Sequence, residues 1–158
     1  MEVIQKPVKN FSDRKGYVPM FICIHIGDGD QKSIYQTFRN LANQKSAHYS
    51  VDYDGIVWQF VDEKFAAWAN GIKAYPTAKI IKNNIQLNPN LISISIENAG
   101  FGNKDITEAQ YKTLGELVKD ICERWKIPLD REHIIGHREI YKWKTCPGRV
   151  SVSKILAL

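Results

Sequence analysis

The sequence predicts one α/β domain with a central mixed β-sheet flanked by helices, and three observations support this. Short apolar, β-branched stretches alternate with stretches of helical period along the chain. Two of the strand-type stretches are joined through an Asp-Gly turn, so a hairpin interrupts the strand–helix alternation. The 158 residues, 44% hydrophobic and 25% charged, suit a single domain over residues 1–158 with a substantial core. No internal repeat, linker or second domain is visible.

In chain order, "MFICIHI" (Met20 to Ile26) is short, apolar and β-branched, and "GDGD" ends it. It reads as a buried strand with His25 near its C-terminal end. "KSIYQTFRNLANQ" reads as a helix, because Ile34, Phe38 and Leu41 recur at three- and four-residue spacing. "AHYSVDYDGIVWQFV" reads as a hairpin turning at Asp54–Gly55. "EKFAAWANG" reads as a short helical turn closed by Gly71, and residues 72 to 90, rich in Asn, Pro and Lys, as a loop facing substrate.

"LISISIENAG" alternates, with Ile92, Ile94 and Ile96 on one face and Ser93, Ser95 and Glu97 on the other. "TEAQYKTLGELVKDICERWKI" is the clearest helix. Thr107 to Gln110 fits a capping box, Tyr111, Leu114, Val118, Ile121 and Trp125 form one apolar stripe, and Pro128 stops it. "HIIGH" reads as another strand and "SVSKILAL" as a terminal helix.

Charge and cysteines narrow the function classes. The net charge of +5 favours anionic partners such as cell-wall polymers, or marks a plain soluble basic protein. The basic residues are scattered, with modest clusters at Lys6–Lys15 and Arg138–Arg149, and no aromatic-basic strip of the kind that binds RNA is present. No stretch reaches the roughly 20 apolar residues of a membrane span. The first ten residues lack an apolar signal core, so the expected location is the cytosol until release. Three cysteines and no signal argue against a disulfide framework. Cys23 and Cys122 read as small core residues, whereas Cys146 lies in a polar turn where packing gives no reason for it.

His25, His48, His133, His137 and Cys146 are the candidate zinc ligands. Alone, each His is more often a hydrogen-bonded structural residue than a ligand. Together, His25 and His137 close two strands and Cys146 follows in a turn, so they can converge on one sheet edge. Imidazole and thiolate suit Zn²⁺, and a catalytic site needs three protein ligands with a fourth position open. His133 lies four residues before His137, and periodicity does not exclude it.

"FICIHIGDG", "SAHYSVDYDGIVWQFV", "AAWANG", "NPNLISISIENAG" and "IIGHREIYKWKTCPGR" occur in that order. The ordered set resembles the zinc-dependent N-acetylmuramoyl-L-alanine amidases of the type-2, peptidoglycan recognition protein-like class, from about Phe21 to Leu158. The resemblance implies zinc held by His25, His137 and Cys146, with His133 a neighbour. It implies Glu97 and Lys144 as catalytic residues, and His48 near the site without binding metal. It departs from the pattern where many members carry a His after the Trp of the "AW" segment. Ala69 stands there, with Asn70 next, which makes His48 and Asn70 candidates for substrate binding or for supporting the site. Ala47 stands where other members carry a Tyr.

The implied reaction is hydrolysis of the amide between N-acetylmuramic acid and L-alanine in peptidoglycan. Glu97 would move the proton and Lys144 would stabilise the oxyanion. The implied role is a phage endolysin, held in the host cytoplasm until released to an anionic cell wall, and a monomer. A bacterial autolysin or recycling amidase is the nearest alternative. A peptidoglycan-binding protein without activity is the alternative from another class, and Cys146, Glu97 and Lys144 discriminate against it.

Overall fold

Residues Phe21–Ile26 are all buried, as a strand covered on both faces requires. In the computed structural model, which describes residues 1–158, this strand is β3. It is preceded by β1 (Val3–Gln5) and β2 (Phe11–Asp13). Helix α1 spans Gln31–Arg39, and the Asp30 side chain caps it by accepting from Ser33 N at 2.7 Å. It buries Ile34 and Phe38 as the spacing predicts, but ends before Leu41, which begins a separate 3₁₀ turn and is exposed.

The predicted hairpin is β4 (Tyr49–Val51) and β5 (Val57–Gln59), paired antiparallel. Gly55 in its turn has φ +86°, a left-handed conformation that glycine adopts without strain. The predicted helical turn after it is instead β6 (Phe65–Ala67), an extended segment paired with β2. Its apolar residues gain ladder hydrogen bonds and bury Ala66 and Ala67, so pairing overrides local helix preference. The predicted loop 72–90 contains a one-turn helix, α2 (Lys79–Lys82), which buries Ile81, and leads into a 3₁₀ turn at Pro89–Ile92.

Strand β7 (Ser93–Asn98), helix α3 (Glu108–Trp125), β8 (Ile134–Gly136) and α4 (Val152–Leu156) complete the chain. The capping box of α3 forms: Thr107 Oγ1 accepts from Gln110 N at 3.0 Å, and Gln110 Oε1 accepts from Thr107 N at 3.0 Å.

The six-stranded sheet runs β1-β5-β4-β7-β3-β8. All neighbours are parallel except β4 and β5, so the sheet is mixed. One face carries Ile22, Ile24, Ile26, Ile94 and Ile96 and packs against Tyr111, Leu114, Val118 and Ile121 of α3. The other face carries Phe21, Cys23, His25, Ser93, Ser95 and Glu97. Phe21 and Cys23 pack there against Ala78, Ile81, Ile92 and Ile140. The serines are buried rather than solvent-facing, so the site lies on a covered polar strip.

Glu63 ties the far end of the sheet to α3. Its carboxylate accepts from Tyr49 OH at 2.7 Å, Arg124 Nη2 at 2.6 Å, Arg124 Nε at 3.2 Å and Trp125 Nε1 at 2.6 Å. Burial acts to raise its pKa, but these donors outweigh it and hold the carboxyl below the ordinary 4.5. A depressed carboxylate contributes stability above its unfolded pKa and loses it as pH falls through the folded value. Glu63→Gln is therefore expected to lower stability by about 2 kcal/mol at pH 7, since bonds to a charged group are each worth roughly 1.5–3 kcal/mol. The difference from wild type should shrink below pH 4.5. Urea unfolding across pH 3–7 checks this, and a pH-independent difference would contradict it.

Candidate metal centre and active site

In open α/β sheets, ligands collect at the carboxyl ends of the strands. His25 is the penultimate residue of β3, Glu97 sits directly opposite it on β7, and His137 follows β8. The chain then crosses a turn to Cys146, which returns to the same edge, where its Sγ accepts from Ile26 N at 3.4 Å. Cys146 Sγ is 3.6 Å from His25 Nδ1, and the rings of His25 and His137 meet edge-on with centroids 4.6 Å apart. Ligand-type atoms of His25, His137 and Cys146 all lie within 4.8 Å of one another.

Local sequence explains the convergence. Gly136 allows Pro147 to pack on its backbone, where any Cβ would meet Pro147 Cδ at 2.7 Å. Gly148 has φ +64° and lies against Gly102, a second close approach that no side chain permits. Arg138 donates its backbone N–H to Cys146 O at 2.8 Å and its guanidinium to Gly148 O. Glu139 accepts from Gly136 N at 2.7 Å and pairs with Arg131. The "GHRE" and "CPGR" segments thus clamp each other and fix where His137 and Cys146 stand.

The donor set fits a zinc ion. Tetrahedral bonds of about 2.0–2.3 Å place ligand atoms roughly 3.5 Å apart, and the His25–Cys146 separation matches. Burial, reinforced by His137, drives the His25 pKa well down, and burial with the nearby Lys144 takes His137 to about 4. Both imidazoles are therefore neutral at pH 7, as ligation requires. Burial pushes the Cys146 thiol up to about 12, so in the metal-free protein it stays protonated, and binding a cation would displace the proton.

Glu97 is the carboxyl beside the cluster. Its side chain is only 13% exposed, with one oxygen 4.0 Å from His25 Nδ1 and the other buried without a partner. Burial, helped by Asp28 and opposed by Lys45, raises it to about 8. Such a carboxyl can both take and give a proton near neutral pH. Lys144 is exposed, and its charge bears on His25, His137 and Cys146 alike. Lys142 points elsewhere, its ammonium 5.7 Å over the Tyr75 ring.

The two supporting candidates are not substrate contacts, because both are fully buried. Asn70 donates to Ser93 Oγ at 3.0 Å and Ser95 Oγ at 2.8 Å, which fixes its carboxamide on the polar strip. Its Oδ1 and His25 Nε2 are both buried without a hydrogen-bond partner. Asn70 thus fastens the loop after β6 to the polar strip of β7. His48 accepts from Ser95 N at Nδ1, 3.0 Å, and donates from Nε2 to Phe65 O at 2.9 Å, so it braces β4 against β6 and β7. Burial lowers its pKa to about 4, so it stays neutral. His133 pairs with Asp130 at 2.7 Å and is not part of the cluster.

Sequence reasoning missed Arg14. It lies in a basic stretch read as surface charge, yet is 4% exposed and donates to the carbonyls of Glu63, Asn90, Leu91 and Ser93. It anchors the start of β7, and no local pattern distinguishes it from its solvated neighbours. Asn98, also missed, donates to His25 O at 2.9 Å.

A neutral His-His-Cys triad beside a carboxyl raised to about 8 is the equipment of a metal-assisted hydrolase. Residues 15–149 match the family described as N-acetylmuramoyl-L-alanine amidase, and the chain belongs to that family. AmiD of Escherichia coli K12, an N-acetylmuramoyl-L-alanine amidase, is 31% identical over 133 residues, covering 75% of this chain. The chain spans 45% of the length of that curated relative. Among solved structures, a selenomethionine AmpD derivative superposes with a TM-score of 0.80 at 24% identity, over 99% of this chain and 93% of that one. The Ph2119 endolysin from the Thermus scotoductus MAT2119 bacteriophage Ph2119 superposes with a TM-score of 0.69 at 18% identity, over 99% and 97%. These likenesses below 25% identity concern the fold.

Proposed function

We propose that this protein hydrolyses the amide between N-acetylmuramic acid and L-alanine in peptidoglycan, with one zinc held by His25, His137 and Cys146. The convergence of those three side chains beside Glu97 carries the reading. Zinc bound there supplies Lewis acidity, polarising the amide carbonyl and lowering the pKa of a water. Glu97 takes the proton of the attacking water and passes it to the departing L-alanine nitrogen. Lys144 donates to the oxyanion that develops on the carbonyl oxygen. Asn98 holds the His25 backbone carbonyl and the Arg138–Gly148 clamp holds Cys146, so the ligands are in place before substrate arrives.

We infer a role in host lysis of the endolysin type. Support comes from the fold shared with the Ph2119 endolysin and from the basic surface, which suits an anionic wall. The likeness to bacterial AmiD favours a bacterial wall enzyme as the second reading.

Elemental analysis with wall turbidity, before and after chelation, tests the proposal. One zinc per chain is expected, with turbidity loss abolished by chelator and restored by zinc. Cys146→Ser and His25→Ala together should empty the site. Absence of zinc in active protein, or full zinc retention by the double variant, would overturn the assignment.

A further inference from the structure

The loop between two of the proposed ligands carries an unexplained surface. Trp143 is 62% exposed, Tyr75 is 72% exposed and Tyr141 is half-buried beside them. Their rings meet edge-on, Tyr75 to Trp143 at 5.3 Å and Tyr141 to Trp143 at 5.7 Å between centroids. Large aromatic side chains normally bury their area, and a contiguous exposed group of them marks a binding surface.

The group is held rigidly. Ala74 N donates to Ile140 O at 3.2 Å, Lys142 N to Ala74 O at 3.0 Å and Thr77 N to Glu139 O at 3.0 Å. These bonds lace the 74–77 segment onto the chain that runs from His137 towards Cys146. Tyr75 has φ +45°, a left-handed conformation that is strained for an aromatic residue. The fold therefore keeps a strained tyrosine to hold its ring outward beside Trp143.

We infer that Tyr75, Tyr141 and Trp143 form a saccharide platform that stacks an N-acetylated amino-sugar ring of the glycan strand next to the metal centre. This rests on the peptidoglycan reading for its choice of a sugar as occupant. The C–H face of a pyranose is flat and weakly polar and carries partial positive charge, which matches the negative face of an aromatic ring. Rigid aromatic side chains also lose little entropy on binding. The scissile bond of the proposed substrate joins a sugar to a peptide, so one side of the centre must meet sugar. The platform is continuous with that centre through Ile140 and Tyr141, whose N–H groups both bond to His137 O. A peptide adding as a strand would instead call for unpaired backbone donors, and the N–H groups of Ala74, Ile140, Tyr141 and Lys142 are all taken, by Ile140 O, His137 O (twice) and Ala74 O.

The probe is the β-1,4-linked trimer of N-acetylglucosamine, which has no peptide and no bond for the enzyme to cut. Titration into the full chain, followed by NMR of aromatic resonances and by tryptophan fluorescence, should show saturable binding that shifts Trp143 and Tyr75. Trp143→Ala should weaken binding at least tenfold and Trp143→Phe should largely restore it, with zinc content and circular dichroism unchanged in both. No saturable binding, equal binding by Trp143→Ala, or shifts from L-alanyl-D-isoglutamine but not from the trimer would overturn the platform. Hydrolysis of N-acetylmuramoyl-L-alanyl-D-isoglutamine by the wild-type protein tests the activity separately. Trimer binding without that hydrolysis keeps the platform and removes the amidase reading, and hydrolysis without trimer binding does the reverse.

Discussion

Glu97→Gln is expected to keep the fold and its metal but lose most hydrolysis, by about 10²–10⁴-fold. Gln can hold a water by hydrogen bonding but cannot accept its proton. The site gives no substitute, because His25 and His137 are neutral ligand-type side chains and Asp28 acts on Glu97 only through space. The change is nearly isosteric in a buried position, so packing should not suffer. Measuring kcat on a soluble muramoyl-peptide, with zinc content and thermal unfolding alongside, separates chemistry from folding. Near-wild-type turnover at equal zinc content would remove Glu97 from the mechanism.

Lys144→Ala is expected to cut turnover by on the order of 10²-fold at every salt concentration, whereas Lys142→Ala should matter little. The two lysines are two residues apart and a count of charge treats them alike. The structure separates them. The Lys144 charge bears on all three members of the His-His-Cys cluster, while the Lys142 ammonium lies over the Tyr75 ring. An oxyanion donor works at contact distance, far inside the screening length even though Lys144 is exposed, so salt should not rescue or abolish its effect. Apart from its contact with the Tyr75 ring, Lys142 contributes long-range attraction, which is screened beyond about 10 Å at 0.1 M salt. Wall lysis by both variants across a salt series, with zinc content checked, measures the difference. Equal behaviour would leave the segment as a basic rim with no catalytic lysine.

The legible parts of the fold were those with long periodic patterns. Helix α3 announces itself through Thr107, Gln110 and an apolar stripe, and β7 through alternation from Ser93 to Glu97. Ile92, expected on the face of Ile94 and Ile96, instead ends the preceding 3₁₀ turn and packs with Phe21 and Cys23 of the opposite face. Strands β1, β2 and β6 span three residues each, too few for any period to register. Phe65–Ala67 read as helical because Ala favours helix, and only its pairing with Phe11–Asp13, distant in sequence, makes it extended.

The site divides in the same way. Cys146 stood out because a thiol in a polar turn has no packing reason, but His25 lies 121 residues away, and only the ordered motifs joined the two. Spacing alone left His133 open. The structure excludes it, because Ile134–Gly136 is the strand and His133 precedes it, bonded to Asp130. Arg14 and Asn98 were invisible because their work is done on backbone carbonyls from other elements, which no local sequence pattern records.

Identification of the bond that is cut tests the central proposal most directly. Purified peptidoglycan should be digested with the zinc-loaded protein, and new amino termini and new reducing sugars should be quantified with mass spectrometry of the fragments. Stem peptides with a free N-terminal L-alanine are expected, released from intact glycan strands, with no gain in reducing ends and with full loss of release on chelation. New reducing ends, amino termini at other stem-peptide residues, or release that is indifferent to chelation would contradict it.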